Sequence, residues 1–512
     1  MKQKSRTYNS IFNSAVGIIA AIFNVALNFA VRIAIVHALG EEINGLHSLF
    51  QNLISIIAVV ETSMTTAMII HLYEPIKHND VQGLSKILSF YHRIYVILAV
   101  VFLLVGGLLN IFLEHLVITN IPALRLHFYF LIFTVSIAVS YLTYTYRVVL
   151  FAEQKNRVSS IATLVAEIIF RGGAALTAIV FHSYTIFLVC FIGEKLCGNL
   201  ICRFYVRREH KGVSCTVKNA DNHEMRSAIM ATVKPLLVSR MADIVQNSSQ
   251  SILISILLGN IAIVGYYGNY MLVIGSVGLL FSQLGASFTS SFGNLATESD
   301  KQRMYHAYRK ADFIMSSVAI VICAGFLACI QDFIALAFGL DFLLGKFSVI
   351  ILTFTMFFTL LNIPCISVQN ATGRHDADVK NMVIQAICSV VCGYLGGTFW
   401  GMEGLLLGTL IPLIIFTTII KGAIIQNRVL ERNLLETFGL LIINVGKGLV
   451  VFAINFVVTG VIDTGMVLVN ILIKGLVTVV ISSCMIVLLS IKNPYLKSTV
   501  NLMCRLMGRN KG

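Results

Sequence analysis

The stretch N-V-A-L-N-F-A-V-R, residues 24–32, places three polar side chains four residues apart inside an otherwise apolar segment. This spacing puts Asn24, Asn28 and Arg32 on one face of a helix. An amide or guanidinium at bilayer depth is costly unless it faces protein or water, so we expect this face to line a cavity. The stretch therefore predicts a membrane helix with a functional polar stripe.

A second polar stripe follows 219 residues later. When residues 39–40 are aligned with 258–259, the second stripe consists of Asp243, Asn247 and Ser251. Repeats of this kind are typical of transporters that are built from two similar lobes. Because Ser251 stands where the first stripe has its arginine, we expect an asymmetric cavity whose anionic ligand lies nearer to the first lobe.

The composition is that of a polytopic membrane protein. Of the 512 residues, 57% are hydrophobic and 12% are charged, and the mean hydropathy is +0.85, values that water-soluble domains do not reach. The 38 Lys and Arg exceed the 24 acidic residues. No basic polar surface is long enough for nucleic acid, so we expect no nucleic-acid partner. The eleven cysteines are scattered without a C-x-x-C, so no metal, cofactor or disulfide is expected.

Fourteen transmembrane helices are predicted by breaking the chain at its charged and turn-rich stretches. They cover approximately residues 12–38, 43–72, 91–113, 126–150, 159–181, 184–206, 230–258, 262–291, 311–336, 347–369, 381–399, 402–424, 434–460 and 465–490. Lys and Arg concentrate in alternate connections, whereas the opposite connections hold only Arg125 and Lys346. By the positive-inside rule we expect both termini in the cytoplasm.

The repeat and the charge pattern together predict an all-α membrane protein of two six-helix lobes with pseudo-twofold symmetry. The predicted parts are an N-terminal lobe at 1–206, a cytoplasmic linker at 207–226, a C-terminal lobe at 227–425, an appended helix pair at 434–490 and a cytoplasmic tail at 491–512. Because each lobe has six helices, the two lobes have the same orientation in the membrane, and the axis that relates them lies along the membrane normal.

Ionisable residues inside the predicted helices are the candidates for function. The basic ones are Arg32, Arg171, Lys195, Lys234, Arg240, Lys447 and Lys474, and the acidic ones are Glu61, Glu167, Glu194 and Asp243. The surplus of bases favours an anionic substrate, since a guanidinium binds phosphate through two parallel hydrogen bonds. A structural role stays open for Glu167 and Arg171, whose i,i+4 spacing allows an ion pair. Glu61 and Asp243 are candidates for coupling to a proton or cation.

Five short stretches carry a family resemblance. They are A-L-G-E-E-I-N-G-L-H-S-L-F-Q-N-L at 38–53, H-L-Y-E-P-I at 71–76, G-N-I-A-I-V-G-Y-Y-G-N-Y at 259–270, S-F-G-N-L-A-T-E-S at 291–299 and M-E-G-L-L-L-G-T at 402–409. They resemble Wzx-type polysaccharide flippases of Gram-positive bacteria, which belong to the multidrug/oligosaccharidyl-lipid/polysaccharide (MOP) superfamily. The resemblance spans roughly residues 10 to 425.

The resemblance implies a transporter of the bacterial cytoplasmic membrane. Such a protein moves an undecaprenyl-diphosphate-linked oligosaccharide from the cytoplasmic to the outer leaflet by alternating access, in contact with membrane lipids. We expect a proton or cation as the counter-ion. We expect a polysaccharide polymerase as the protein partner. The residues implied for diphosphate binding are Arg32 and Arg240, helped by Arg171 or Lys195. Those expected to bind sugar hydroxyls are Asn24, Asn28, Asn247 and Gln250. Those expected near the lipid tail are Lys447 and Lys474.

Three alternatives remain. A drug/cation antiporter of the same superfamily would require buried acids to dominate, and a membrane polymerase or ligase would require a large outer loop, which the short external connections exclude. A scaffold without transport would leave the polar first and seventh helices unexplained. Because no H-E-x-x-H, P-loop or nucleophile triad occurs where chemistry can take place, we expect no enzymatic activity.

Overall fold

The described structure is built from helices. The computed structural model describes residues 6–78, 80–153, 155–215, 223–297, 300–374 and 378–499, and these ranges contain no strand. The helices are α1 (Arg6–Leu39), α2 (Glu41–Lys77), α3 (Val81–Ile111), α4 (Leu113–Leu116), α5 (Ala123–Ala152), α6 (Asn156–Phe181), α7 (Tyr184–Glu209), α8 (His223–Leu258), α9 (Ile261–Thr297), α10 (Lys301–Ala337), α11 (Lys346–Leu361), α12 (Ile363–Thr372), α13 (Val379–Pro412), α14 (Gly422–Arg428), α15 (Leu434–Gly460) and α16 (Val467–Leu489). A 3-10 turn at Leu340–Phe342 and a π-helical segment at Leu413–Lys421 complete the order.

Eleven helical segments within the described ranges are long and apolar enough to cross a membrane. The segment Val379–Arg428 counts as one, although Gly401 interrupts it with a φ of 61° and a ψ of −134°. Only glycine adopts such a conformation without strain, and the interruption lies between the helices that the sequence predicts at 381–399 and 402–424. The chain is therefore an all-helical, multi-pass membrane protein, while the count of fourteen helices and the location of the termini stay predictions.

The chain divides into two compact units, Met1–Gly268 and Asn269–Gly512. The boundary lies later than the predicted linker at 207–226, because α8 packs along α2 and so belongs to the first unit. The predicted lobes at 1–206 and 227–425 and the appended pair at 434–490 stay predictions about symmetry.

Polar side chains join α8 to α2 in the first unit. Asn52 donates through Nδ2 to Ser251 Oγ at 2.9 Å, and the hydroxyl oxygens of Ser55 and Ser248 are 2.8 Å apart. Ser248 and Ser251 are both buried. The polar seventh predicted helix therefore packs against protein here, as its composition predicts.

Glycines allow α2 and the beginning of α9 to touch. A Cβ atom at Gly45 would lie 2.0 Å from the carbonyl oxygen of Ile261, and one at Gly265 would lie 2.9 Å from the backbone nitrogen of Gly45. No side chain fits at these distances, so the close approach of the two helices requires glycine on both.

A charged cluster joins the ends of α5 and α7 to the start of α6. Nε2 of His210 lies 2.5 Å from Oε1 of Glu153, and Nζ of Lys155 lies 3.1 Å from Oε2 of Glu153 and also pairs with Glu209. The hydrogen bond with Glu153 raises the pKa of His210 against the effect of burial. Burial raises the pKa of Glu153, but the contacts with His210 and Lys155 outweigh it, so the pKa of this carboxyl is lowered.

We expect His210→Gln to remove a pH-dependent part of the stability. Because the folded-state pKa of His210 is raised, its contribution is complete below the ordinary value of about 6.5 and is lost as the pH rises through the folded value. The unfolding temperature of the wild type should therefore exceed that of the variant more at about pH 6 than at about pH 9. Thermal unfolding of the purified protein in detergent measures this, with His306→Gln at an exposed position as the control. Equal differences at the two pH values would contradict the prediction.

Candidate functional site in the N-terminal unit

The first two residues of the α1 stripe belong to a polar network with α6. Asn28 donates through Nδ2 to Asn24 Oδ1 at 2.9 Å, and Asn24 donates through Nδ2 to Glu167 Oε1 at 2.6 Å. Arg171, one turn after Glu167, donates through Nη1 to Asn28 Oδ1 at 2.7 Å. Asn24 and Asn28 of α1 are four residues apart, as are Glu167 and Arg171 of α6. Each pair therefore lies on one face of its helix, and the two faces meet.

Arg171 also binds α7. Its Nε donates to Glu194 Oε2 at 2.8 Å and its Nη2 to Glu194 Oε1 at 3.2 Å, while Nη2 lies 3.4 Å from Glu167 Oε1. Nζ of Lys195 is 3.1 Å from the same Glu194 Oε1. Glu167 and Glu194 are each 4% exposed. The i,i+4 ion pair that the sequence allows between Glu167 and Arg171 is thus present, and Glu194 completes it.

A cavity of about 200 Å³ lies beside this network. Its polar lining consists of Glu61, Ser140, Tyr144, Arg147, Thr163, Glu194, Lys195 and Asn199. Arg147 donates through Nη2 to Thr163 Oγ1 at 2.9 Å, and Asn199 donates to Thr143 Oγ1 at 2.9 Å. The volume admits several water molecules or one compact ionised group. The cavity thus offers both signs of charge to a ligand inside the first unit.

Glu61 on α2 lines this cavity together with Arg147 and Lys195. Glu194, by contrast, is held by Arg171 and Lys195. Ionisable side chains that line a polar cavity in a membrane protein commonly mark a substrate or ion pathway. Arg147 was not among the residues selected from the sequence, because its position near a predicted helix end assigned it to the topology signal.

Arg32 lies apart from Asn24 and Asn28, although it shares their helix face. Its side chain is 7% exposed, and Nη2 donates to the carbonyl oxygen of Gly265 at 3.2 Å. A Cβ atom at Gly268 would lie 2.2 Å from this Nη2. The guanidinium is therefore packed against the beginning of α9 rather than in the cavity at Glu61.

The helix α8, which carries the second stripe and the candidates Arg240 and Gln250, is described only in part. Arg240 is exposed on α8, and Gln250 is buried and accepts a hydrogen bond from the hydroxyl of Tyr267. The side chains of Asp243 and Asn247 lie outside the described residues. The binding and coupling roles of the two stripes stay predictions.

The two lysines of the appended pair have partners within the second unit. Nζ of Lys474 lies 2.6 Å from Oδ2 of Asp332 on α10, and Lys447 donates to Ser490 Oγ at 2.9 Å. Asp312 and Asp332, both half-buried, were missed among the acids of the predicted membrane helices, although both lie within the predicted helix at 311–336, where an acid is itself a signal. The role of the lysines at a lipid groove stays a prediction.

No known protein family and no curated protein matches the sequence. Solved structures do match. The lipid II flippase MurJ in an inward closed conformation has a TM-score of 0.66 at 15% identity, covering 93% of this chain and 99% of its own. An inward-facing MATE family multidrug resistance transporter of the MOP superfamily has a TM-score of 0.63 at 13% identity, covering 81% of this chain and 94% of its own. The chain has the fold of the MOP superfamily transporters.

A third similar structure is a MOP superfamily transporter from Pyrococcus furiosus, for which a reversed polarity of the binding pocket suggests a different function. It has a TM-score of 0.55 at 13% identity and covers 83% of this chain and 96% of its own. These proteins are transporters and a flippase rather than enzymes, in agreement with the absence of enzyme signatures in the sequence. At such identities the similarity establishes the fold alone.

Proposed function

We propose that the chain is a flippase that moves an undecaprenyl-diphosphate-linked oligosaccharide across the bacterial cytoplasmic membrane for surface polysaccharide synthesis. The observation that supports this best is the extent of the structural likeness: the lipid II flippase covers 93% of the chain and the inward-facing MATE transporter 81%. The likeness to the flippase thus extends over more of the chain than the likeness to the drug transporter.

The helices α15 and α16, the appended pair, pack against other helices of the second unit. Lys474 pairs with Asp332 on α10, and the ring of Phe452 on α15 lies 5.3 Å from that of Phe357 on α11. Its outer side is apolar, with exposed side chains that include Phe456, Val457, Leu472 and Leu476. An apolar surface fixed to the transport core suits a substrate that carries a long lipid tail.

The charges of the first unit suit a diphosphate that enters together with a proton or cation. Arg147, Arg171 and Lys195 are balanced by Glu61, Glu167 and Glu194 in the network and its cavity. Binding an anion would leave this site net negative, which is unfavourable at bilayer depth unless a carboxylate is neutralised. Glu61, which faces the cavity, is the carboxylate that we assign to this role, and the amides of Asn24 and Asn28 are assigned to sugar hydroxyls.

We expect Arg240→Ala to reduce polymer export by about tenfold or more at normal protein levels. The side chain is exposed on α8, so its loss removes a phosphate ligand without disturbing a packed contact. Arg32→Ala should lower both export and protein level, because Arg32 is buried against Gly265. Export is measured by complementation of a bacterial strain that lacks its own flippase, with immunoblotting of the membrane fraction.

The matched control is Lys346→Ala, which removes an exposed base at the start of α11 and should leave export unchanged. If Arg32→Ala and Arg240→Ala both leave export intact, the diphosphate assignment is wrong.

A polysaccharide polymerase is the expected partner, since the translocated repeat unit is its substrate.

A drug/cation antiporter is the second candidate, favoured by the similarity to MATE transporters and by the carboxylate of Glu61 in the cavity. It predicts resistance to cationic drugs on overexpression, abolished by Glu61→Gln, with no effect on polymer export. Complementation of polymer export without drug resistance would exclude it.

A further inference from the structure

Two arginines near the end of α7 lie over the same aromatic ring in the first unit. Cζ of Arg203 and Cζ of Arg207 are each 5.5 Å from the ring centroid of Tyr146 on α5. Nε of Arg207 also donates to Tyr146 Oη at 3.3 Å. Tyr146 is buried, and a cation within about 6 Å of an aromatic ring is attracted to its face. The ring therefore holds two guanidinium groups close to each other.

These two positive charges are not neutralised by the part of the chain that the structure describes. Neither Arg203 nor Arg207 forms an ion pair with a carboxylate there. His92 on α3 also interacts with Arg203, but it contributes no negative charge. Side chains four residues apart on a helix start about 5–6 Å from each other, so two bases at this spacing repel. An anion between the two guanidinium groups would remove this repulsion.

Bases on the other side of the same helix end do have acidic partners. Glu209 is two residues from Arg207 and so lies on nearly the opposite side of α7. There Lys155 pairs with both Glu153 and Glu209, and His210 lies 2.5 Å from Glu153. The acids at this end of α7 thus serve that cluster, and the arginines at Tyr146 are left for an anion from outside the described chain.

The helix face that carries the two arginines is otherwise apolar and exposed. Leu200, Arg203, Phe204 and Arg207 have the spacing i, i+3, i+4 and i+7, which places them on one face. Leu200 is 48% exposed and Phe204 is 70% exposed. α7 is long and apolar enough to cross a membrane, so this face offers apolar contact to acyl chains and positive charge at its end.

We propose that Arg203 and Arg207 bind the phosphate of an anionic phospholipid whose acyl chains lie along Leu200 and Phe204. Each guanidinium can donate two parallel N–H groups to phosphate oxygens. The linker at 207–226 that follows is predicted to be cytoplasmic, and the cytoplasmic leaflet is the one whose anionic lipids attract basic segments.

The exposed position of this face favours a lipid of the surrounding bilayer over the other sources of phosphate. A free phosphate would gain nothing from Leu200 and Phe204. The cavity beside Glu61, in turn, includes neither arginine in its lining. The lipid would therefore act as a bound component of the first unit, whichever substrate the protein moves.

Lipid binding to the purified, delipidated full-length protein in detergent tests this proposal. Phosphatidylglycerol is titrated into the micelles, and native mass spectrometry counts the lipid bound to each chain. We expect one site that prefers phosphatidylglycerol to phosphatidylcholine by about tenfold or more. Arg203→Gln/Arg207→Gln should weaken the affinity by about tenfold or more, and Arg203→Lys/Arg207→Lys, which keeps the charge but loses the planar fork, by about threefold or more.

The matched control is Lys86→Gln/Lys211→Gln. It removes two exposed bases of the first unit that do not lie over Tyr146, and it should change the affinity by less than about twofold. A loss as large as that of Arg203→Gln/Arg207→Gln would show that net charge alone attracts the lipid, which overturns the proposal.

Equal affinities for phosphatidylglycerol and phosphatidylcholine, or an unchanged affinity in Arg203→Gln/Arg207→Gln, also overturn the proposal. Displacement of the lipid by an equal concentration of inorganic diphosphate would assign the arginines to free phosphate groups and has the same consequence. If the glutamine variant does not fold, an unchanged affinity in Arg203→Lys/Arg207→Lys decides against the site. Because lipid binding is measured without transport, each outcome leaves the flippase proposal to its own test.

Discussion

Arg171→Ala is expected to be the most damaging single substitution in the N-terminal unit, lowering the free energy of unfolding by about 3–5 kcal/mol and abolishing polymer export. Arg171 binds Glu194 through two hydrogen bonds, lies 3.4 Å from Glu167 and donates to Asn28. Its removal leaves two buried carboxylates with too few partners and disconnects α1 from α7. Thermal unfolding in detergent, together with complementation of export, measures the two effects.

Lys195→Ala is the matched control, since it removes the other base on Glu194 at a position whose side chain is 32% exposed. It should lower stability much less. The double variant Arg171→Ala/Glu194→Gln should recover part of the lost stability, because it neutralises one stranded carboxylate, without recovering export. Equal stability of Arg171→Ala and the wild type would show that the network does not hold the helices together.

Lys421→Met should have the second large effect, lowering the free energy of unfolding by about 3–5 kcal/mol. Nζ of Lys421 lies 2.9 Å from Oδ2 of Asp378, whose side chain is fully buried. Asp378 also accepts a hydrogen bond from Asn381 Nδ2 at 2.8 Å. Without the ammonium, the remaining bonds from Asn381 and from Gln369 Nε2, which lies 3.5 Å from Oδ2, compensate only part of the cost of the buried charge, so unfolding in detergent should begin at a lower temperature.

The double variant Lys421→Met/Asp378→Asn separates the cost of a stranded charge from the value of the pair. We expect it to be close to the wild type in stability, because replacing both members of a buried ion pair is often nearly neutral. A double variant as unstable as Lys421→Met would instead show that the pair itself stabilises this end of the second unit.

Much of the architecture follows from residue order. Hydropathy locates the apolar helices, and the break that the sequence places between 399 and 402 coincides with the non-helical conformation of Gly401. The stripe of Asn24 and Asn28 is likewise a property of helical spacing, and both residues do take part in an interhelical polar network. The ion pair of Glu167 with Arg171 follows from the same periodicity.

The partners of the charged residues did not follow from the sequence. Glu194 is 23 residues from Arg171, and Asp332 is 142 residues from Lys474, so no helical period connects either pair. Arg32 shares a helix face with Asn28, yet it meets α9 while Asn28 meets α6, because different helices pack along different parts of one face. The sequence by itself determined that this is an all-helical membrane protein with polar stripes, since hydropathy and the helical period are local properties. Which acid meets which base, and where the cavities lie, was decided only by the tertiary structure, because these depend on how each helix is rotated and packed against its neighbours.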